Sequence, residues 1–386
     1  MQINDNEIPN KIFTKPYNLM LIVSILIFTG HYMLMATMPL YAKELSGSNV
    51  IAGMMVSTLT LSALLFRPLF GSLIDTKGRK IVLLLGAILF VMVSIFYHLA
   101  HTVLILVSLR FINGIAFSAH TSAAGTIVSD LTPKSRLAEG IGYYGISIII
   151  GTAIGPALGL FLVHHSGYQL LFLSVLALWT LGLGITFPIN YEKKNNIITK
   201  AGKGSFFEKT SLLPSLVMFF VSLTFGSVIA FLPSYGVTRG IENIGSFFIV
   251  YSFAVLVSRL TTGKLADRHG FMIVLLPSLI SLFISMVILA FAHSLVIVLI
   301  AGFFFGMGYG TSYPLTNAIV IKLCSERRRG AATSTLLASM DIGIGVGALI
   351  WGYVLEFTGF TTVYLASSFC AVISILVYII FVHPKL

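Results

Sequence analysis

The stretch Gly71-Ser72-Leu73-Ile74-Asp75-Thr76-Lys77-Gly78-Arg79-Lys80-Ile81 sets an acid, three basic residues and a turn-forming glycine between two long apolar runs. Glycine and charge clustered in this way end one helix and begin another at a polar boundary. Nearly the same layout returns at Gly263 to Ile273: Arg67-x3-Gly71-x-Leu73-x-Asp75-x2-Gly78 is answered, 192 residues later, by Arg259-x3-Gly263-x-Leu265-x-Asp267-x2-Gly270. Pro39-x-Tyr41 with Pro233-x-Tyr235, Gly114 with Gly306, and Gly167-Tyr168 with Gly359-Phe360 recur at similar offsets. Chance does not supply that many matches at nearly one spacing, so the chain is built twice.

Of the 386 residues, 57% are hydrophobic and 10% charged, against roughly a quarter charged in soluble domains. The solvent is therefore lipid. A spanning helix needs about 20 mostly apolar residues, and continuous rather than alternating apolar runs select helices over a barrel. Twelve spans are expected, at 18–41, 50–71, 80–98, 102–128, 138–164, 168–189, 212–236, 243–265, 272–292, 294–320, 330–353 and 361–382. The class is all-α integral membrane.

The net charge of +11 belongs to loops, not to a nucleic-acid surface. With both ends cytoplasmic, most of the 24 Lys and Arg lie inside; only Lys43 and Arg239 fall outside, and Arg67, Arg110 and Arg259 fall within spans. The positive-inside rule thus fixes a multi-pass cell-membrane protein with both termini cytoplasmic. Residues 1–17 form an N-terminal tail without the features of a cleaved leader, so the first span is expected to act as an uncleaved anchor. Residues 18–189 and 212–382 form two six-helix bundles, joined by a lysine-rich linker at 190–211. Cys324 and Cys370 lie in different segments, so no disulfide, thiolate metal site or cofactor is expected.

Two pseudo-symmetric six-span halves with a basic linker resemble the major facilitator superfamily, whose substrate site lies between the halves near the midplane. The opening stretch is similar to that family's loop between its second and third helices. Gly71, Leu73, Asp75, Gly78, Arg79 and Lys80 match, and Thr76 stands where a basic residue is usual; the second copy keeps Asp267, Arg268 and Gly270 but has Phe271 and Met272 for the basic pair. The resemblance implies a conformational switch built from Gly71, Asp75, Gly78, Arg79, Asp130 and Asp267, anchored on the N-terminal half. The fifth span carries Gly151, Gly155, Pro156 and Gly159, which resemble the glycine-proline motif of drug/proton antiporters, with Leu160 in place of the last glycine. Small residues at that spacing also let two helices pack closely, with proline permitting a bend.

Three interior residues are candidates for proton coupling. Asp341 lies about eleven residues into its span, roughly 16 Å deep, and is the only acid so placed: Asp75, Asp130, Glu139 and Asp267 sit at the cytoplasmic boundary and Glu44, Glu242 and Glu356 at the outer one. Arg110, inside hydrocarbon at a cost of roughly 2.5–3.5 kcal/mol, shares an arc of about 80° with Asn113, Phe117 and His120. Its spacing to Gly114 is similar to the family's fourth-helix motif, whose arginine is associated with proton transfer. His31, at similar depth, carries an imidazole that titrates near neutrality in water. The stripe of Arg110, Asn113, Phe117 and His120 is expected to face the cavity, which His31 also lines, and Met35, Tyr309, Tyr313 and Asn317 extend a surface of aromatic and methionine side chains that adapts to varied ligands. Arg67 and Arg259 are expected to be structural.

The expected activity is proton-coupled export of a small amphipathic molecule by a monomer rocking between two bundles, with protons, lipid and the cargo as partners. An exporter dedicated to one metabolite or metallophore is the alternative. A membrane-embedded enzyme or receptor scaffold would need a catalytic constellation or a sizeable soluble domain, and the sequence has neither.

Overall fold

The computed structural model describes residues 11–189, 208–325 and 328–386, with Lys264 described by its backbone alone. The start of the expected tail and residues 190–207 of the expected linker lie outside the described residues. Among those described, the regular structure is helical: α1 (Lys15–Ser46), α2 (Asn49–Lys77), α3 (Arg79–Tyr97), α4 (Val103–Leu131), α5 (Leu137–Thr186), α6 (Leu212–Arg239), α7 (Ser246–His269), α8 (Phe271–Ala290), α9 (Leu295–Leu323), α10 (Arg329–Phe357) and α11 (Phe360–Val377). All eleven are long and apolar enough to cross a membrane.

The fifth and sixth expected spans run together as α5, whose 50 residues would reach about 75 Å at 1.5 Å each, over twice the hydrocarbon thickness. Gly167 divides them, with φ +75 and ψ −178 inside the helix. Its repeat mate Gly359, at φ +117, separates α10 from α11. The count of eleven helices rather than twelve among the described residues thus has a physical reason: α5 is two membrane-length segments bent at a glycine, where the sequence led to two separate spans, and the all-α membrane class stands. Gly78 (φ +98) and Gly270 (φ +89) turn α2 into α3 and α7 into α8 by the same means. An L side chain in this region is strained, which accounts for glycine at both positions.

Side chains repeat the symmetry. Tyr41 Oη donates to Ala100 O at 2.9 Å, and Tyr235 Oη donates to Leu289 O at 2.8 Å and to Ala292 O. Each clasps its first helix to the turn after its third. Hydrophobic packing follows the halves: one core cluster draws only on residues up to Ile189, and the other is centred on α6 to α11. Met35, Ala52, Val56, Leu59 and Ile149 of the first half join the second cluster, where α2 packs on α10. Leu65, Leu104, Leu260 and Phe357 stand at least two-thirds exposed, a rim that only lipid would cover.

Lys77, Arg79, Lys80, Lys134, Arg136, Arg268, Lys322 and Arg328 cluster at one set of helix ends, here termed the basic face. On it, Arg328 Nε meets Glu208 Oε2 at 2.7 Å, tying the chain before α6 to the start of α10. The Arg328 guanidinium, helped by the Thr210 N–H, holds the Glu208 carboxyl below its ordinary range.

Candidate functional site

On the far face the halves are closed. The Asn49 N–H donates to Glu356 Oε2 at 2.7 Å, and Ser57 Oγ donates to Gly345 O at 2.5 Å. Glycine makes the approach possible: a Cβ on Gly352 would lie 2.7 Å from Asn49 O, and one on Gly245 would lie 2.8 Å from Ala157 Cα. On the basic face a space of about 860 Å³ separates Gly125, Thr126 and Ser129 of α4 from Arg329, Gly330 and Thr333 of α10. The halves are thus joined at the far face and part on the basic face, where this space forms a cleft.

Deeper along α2 and α10, beyond the residues that line that space, a charged pair bridges the halves. Arg67 Nε donates to Asp341 Oδ2 at 2.9 Å, and Nη2 lies 2.9 Å from the same oxygen. Asp341 is buried at 6% exposure, some twelve residues into α10. Arg259, the repeat mate of Arg67, crosses the interface the other way: a Cβ on Gly145 of α5 would lie 2.5 Å from its Nη1. The ionisable neighbours of Arg259 are Tyr251, Tyr313 and Tyr32, and Tyr144 is a neighbour of Arg67. Tyr309 stacks on Phe225 at 4.7 Å between ring centroids and on Phe305 at 5.8 Å. Asn317 accepts from Thr333 Oγ1 at 3.3 Å and so ties α9 to α10.

The second polar group is sealed inside the N-terminal half. Arg110 is fully buried; its Nε donates to Met55 O at 2.9 Å and its Nη2 to Met35 Sδ at 3.3 Å. Its Nη1, both side-chain atoms of Asn113, both ring nitrogens of His120 and Ser118 Oγ have no hydrogen-bond partner among the described residues. His31 stacks on Phe117 at 4.1 Å with the rings 13° apart. The structure therefore does not bring Asp341 to Arg110: the acid meets Arg67, and Arg110 is held by α1 and α2. Nor does the fourth-helix stripe as a whole face the cleft. His120 is fully buried, with Phe28 and Phe90 edge-on to it at 6.5 and 6.0 Å.

Of the switch residues, Arg79 and Asp130 are brought together at 2.8 Å, joining α3 to the end of α4. Asp75 is exposed and makes no ion pair with a described residue. Gly71 and Gly78 have open space where a Cβ would be. The pair lies wholly within the N-terminal half, so in this state it joins nothing across the cleft. Asp267 is exposed and lines, with Arg259, Gly263, Phe271 and Pro314, a smaller space of about 160 Å³. Lys80 Nζ donates to Phe187 O at 3.0 Å, pinning the loop to the end of α5.

The α5 glycines form a seam with α1. A Cβ on Gly151 would lie 2.6 Å from Phe28 Cβ, one on Gly155 2.7 Å from Thr29 O, and one on Gly159 3.1 Å from Met33 Cα. Pro156 is buried beside the contact of Ala157 with Gly245. The motif thus faces its own half on one side and the other half on the next.

Arg67 and Arg259, with the tyrosines Tyr32, Tyr144 and Tyr251 coupled to them, are the residues of this interface that sequence reasoning missed. The repeat marked the two arginines, but their closeness to the loop glycines pointed to a structural role; nothing in the sequence marks the tyrosines. No group of three His, Cys, Asp or Glu placed to hold a metal ion occurs among the described residues.

The model of the Major Facilitator Superfamily matches residues 20–247 and 215–386. The chain is 24% identical over 376 residues to the staphylopine export protein of Staphylococcus aureus, covering 93% of this chain and 94% of that one. It is 25% identical over 361 residues to a homolog of the multi-drug resistance efflux pump PmrA of Lactococcus lactis, covering 89% of each. Among solved structures, the nucleoside transporter NupG superposes with a TM-score of 0.73 at 17% identity, over 95% of this chain and 98% of that one.

Proposed function

Since the chain belongs to the major facilitator superfamily, we propose that it is a proton-coupled antiporter exporting a small amphipathic molecule by alternating access between two six-helix bundles. It is a multi-pass membrane transporter and not an enzyme. Export as the direction is supported by the relatives, an export protein and an efflux pump. By the positive-inside rule the basic face is cytoplasmic, so the cleft opens inward and both termini are internal. The working unit is a monomer in the bilayer, with protons and the cargo as its partners.

One observation carries the coupling: the Arg67–Asp341 pair is a charged bridge between the halves within membrane-length helices. With Asp341 ionised, the two charges neutralise each other and hold α2 to α10. A proton on Asp341 leaves Arg67 without its counter-charge, and in a medium where unpaired charge is costly the bridge must rearrange. The proton is thereby exchanged against a change in how the halves meet. An alternating carrier needs that link.

The test is efflux of ethidium and, separately, of pyrenebutyrate, one cationic and one anionic amphipath, from proteoliposomes under an imposed pH gradient. Asp341→Asn abolishes the gradient dependence while the protein stays folded and monodisperse; undiminished gradient dependence removes Asp341 from the coupling. The second reading, an exporter dedicated to one metabolite or metallophore, is favoured by the near full-length likeness to the staphylopine export protein. A deletion strain that accumulates one compound and gains no broad sensitivity would select it.

A further inference from the structure

Arg67 and Arg259 occupy equivalent positions in the two repeats, yet among the described residues only Arg67 has a carboxylate. The position on α5 that corresponds to Asp341, 192 residues earlier, is Ile149. Arg259 nevertheless reaches across the interface as Arg67 does, to the backbone of Gly145. It is exposed toward the space of about 160 Å³ that it lines with Asp267 and Phe271, about ten residues from the basic end of α7 and so roughly 15 Å from that face.

A guanidinium at that depth with no counter-charge is costly, and a family of five N–H donors in a planar fork is suited to one partner above others, a carboxylate or similar oxyanion. Its surroundings are aromatic: Tyr32, Tyr251 and Tyr313 are its ionisable neighbours, and Tyr251 contacts Phe305 at 5.6 Å and Tyr309 at 6.4 Å between ring centroids. Cation and aromatic wall together describe an amphipathic anion. Asp341 is already occupied by Arg67, and Asp267, about two turns nearer the basic end in the same space, makes no ion pair with Arg259, so Arg259 has no carboxylate of the described residues within ion-pair distance.

We propose that Arg259 is the docking point for the anionic group of the cargo, which makes the transported molecule an aromatic or otherwise flat apolar carboxylate, or another oxyanion of that shape. The proposal rests on the transport reading above and narrows it to a substrate class. It also assigns the two symmetric arginines different work: Arg67 holds the acid built into the protein, and Arg259 holds the acid of the passenger.

Three probes that differ in one group test this: pyrenebutyrate, pyrenebutanol and pyrenebutylammonium, titrated by fluorescence anisotropy against the full chain in uncharged maltoside detergent, where no lipid phosphate competes. The wild type binds pyrenebutyrate tighter than the alcohol by roughly tenfold or more, the scale of a hydrogen bond to a charged group. Arg259→Gln removes that preference and leaves the alcohol's affinity unchanged, which also reports an intact cleft; Arg259→Lys keeps part of it. A wild-type preference for the ammonium, or a carboxylate preference that survives Arg259→Gln, overturns the proposal. Should Arg259→Gln not fold, Arg259→Lys decides, since an undiminished preference there shows that fork geometry is irrelevant. Adding back anionic phospholipid separates sources: competition that depends on Arg259 shows an oxyanion site open to lipid phosphate, and none shows one closed to it, with the carboxylate preference deciding the proposal in either case. Flux separates the two readings. Gradient-driven efflux without carboxylate preference keeps the exporter and removes the Arg259 site, whereas Arg259-dependent binding without gradient-driven flux keeps the site and removes the exporter.

Discussion

Arg67 and Asp341 meet through two nitrogens and one oxygen, both at 2.9 Å, and they come from opposite halves of the chain. Their side chains are 25% and 8% exposed, so the aspartate is sealed and the arginine reaches it from the open side of the cleft. Removing one member of such a pair strands the other's charge, whereas removing both strands nothing.

A double-mutant cycle exposes that asymmetry. Arg67→Gln and Asp341→Asn each lower the melting temperature in detergent, and the double variant melts above the sum of the single losses, with a coupling of about 1–3 kcal/mol. Strict additivity of the two single effects would mean that the contact carries no energy.

The far-face clasp sets the second expectation. Glu356 Oε2 accepts from the Asn49 N–H at the first turn of α2, where a carboxylate also faces the positive end of the helix. Glu356→Gln loses the charge and keeps the shape, so far-face closure weakens by about 0.3–1 kcal/mol. Spin-label pairs at Ser46 and Phe357 on the far face and at Thr126 and Thr333 on the basic face report it. The far-face distance distribution gains a longer component and the basic-face one a shorter component; an unchanged pair of distributions removes Glu356 from the gate.

Much of this architecture was legible from the chain, because apolar runs of membrane length admit few structures and the 192-residue repeat recurs. The bend at Gly167 was foreshadowed by its match with Gly359. Asp341 stood out as the one interior acid, but its partner did not. In helices apolar on nearly every side, periodicity does not show which face meets the other half. Arg110 illustrates the same gap: its polar stripe could be drawn on a helical wheel, yet the wheel does not say that His120 points among Phe28 and Phe90. Arg259 needed the fold, since its significance lies in a carboxylate that its symmetry mate has and it lacks.

The loop after α2 separates two roles that its sequence places side by side. Arg79 is engaged by Asp130 at 2.8 Å in this structure, while Asp75 is exposed. Asp130→Asn therefore loosens the junction of α3 and α4 here, which faster hydrogen exchange at residues 78–82 reports. Asp75→Asn leaves exchange at those residues unchanged. If Asp75 finds its partner only when the basic face closes, the same substitution shifts the population further toward the open cleft, and the label pair at Thr126 and Thr333 shows a longer mean distance.

The glycine seam between α1 and α5 gives an expectation that needs no assumption about transport. A Cβ at Gly155 would sit 2.7 Å from Thr29 O and 2.8 Å from Tyr32 Cβ, and the first of these is backbone, which cannot turn aside as a flexible side chain can. Gly155→Ala must push the helices apart, at about 1–3 kcal/mol for overpacking. Gly142, between three and four turns nearer the start of the same helix, has nothing within 4 Å of where its Cβ would be. There alanine only removes unfolded-state freedom and is neutral or stabilising by about 0.4–1 kcal/mol. Thermal scans of the two variants should move in opposite directions. Because Tyr32 shares that turn of α1 with the displaced contact and is electrostatically coupled to Arg259, Gly155→Ala should also weaken pyrenebutyrate binding, whereas Gly142→Ala should not. Equal melting temperatures for both variants would show that the seam yields without cost, and the glycines would then have to be explained by motion of α5 rather than by its packing.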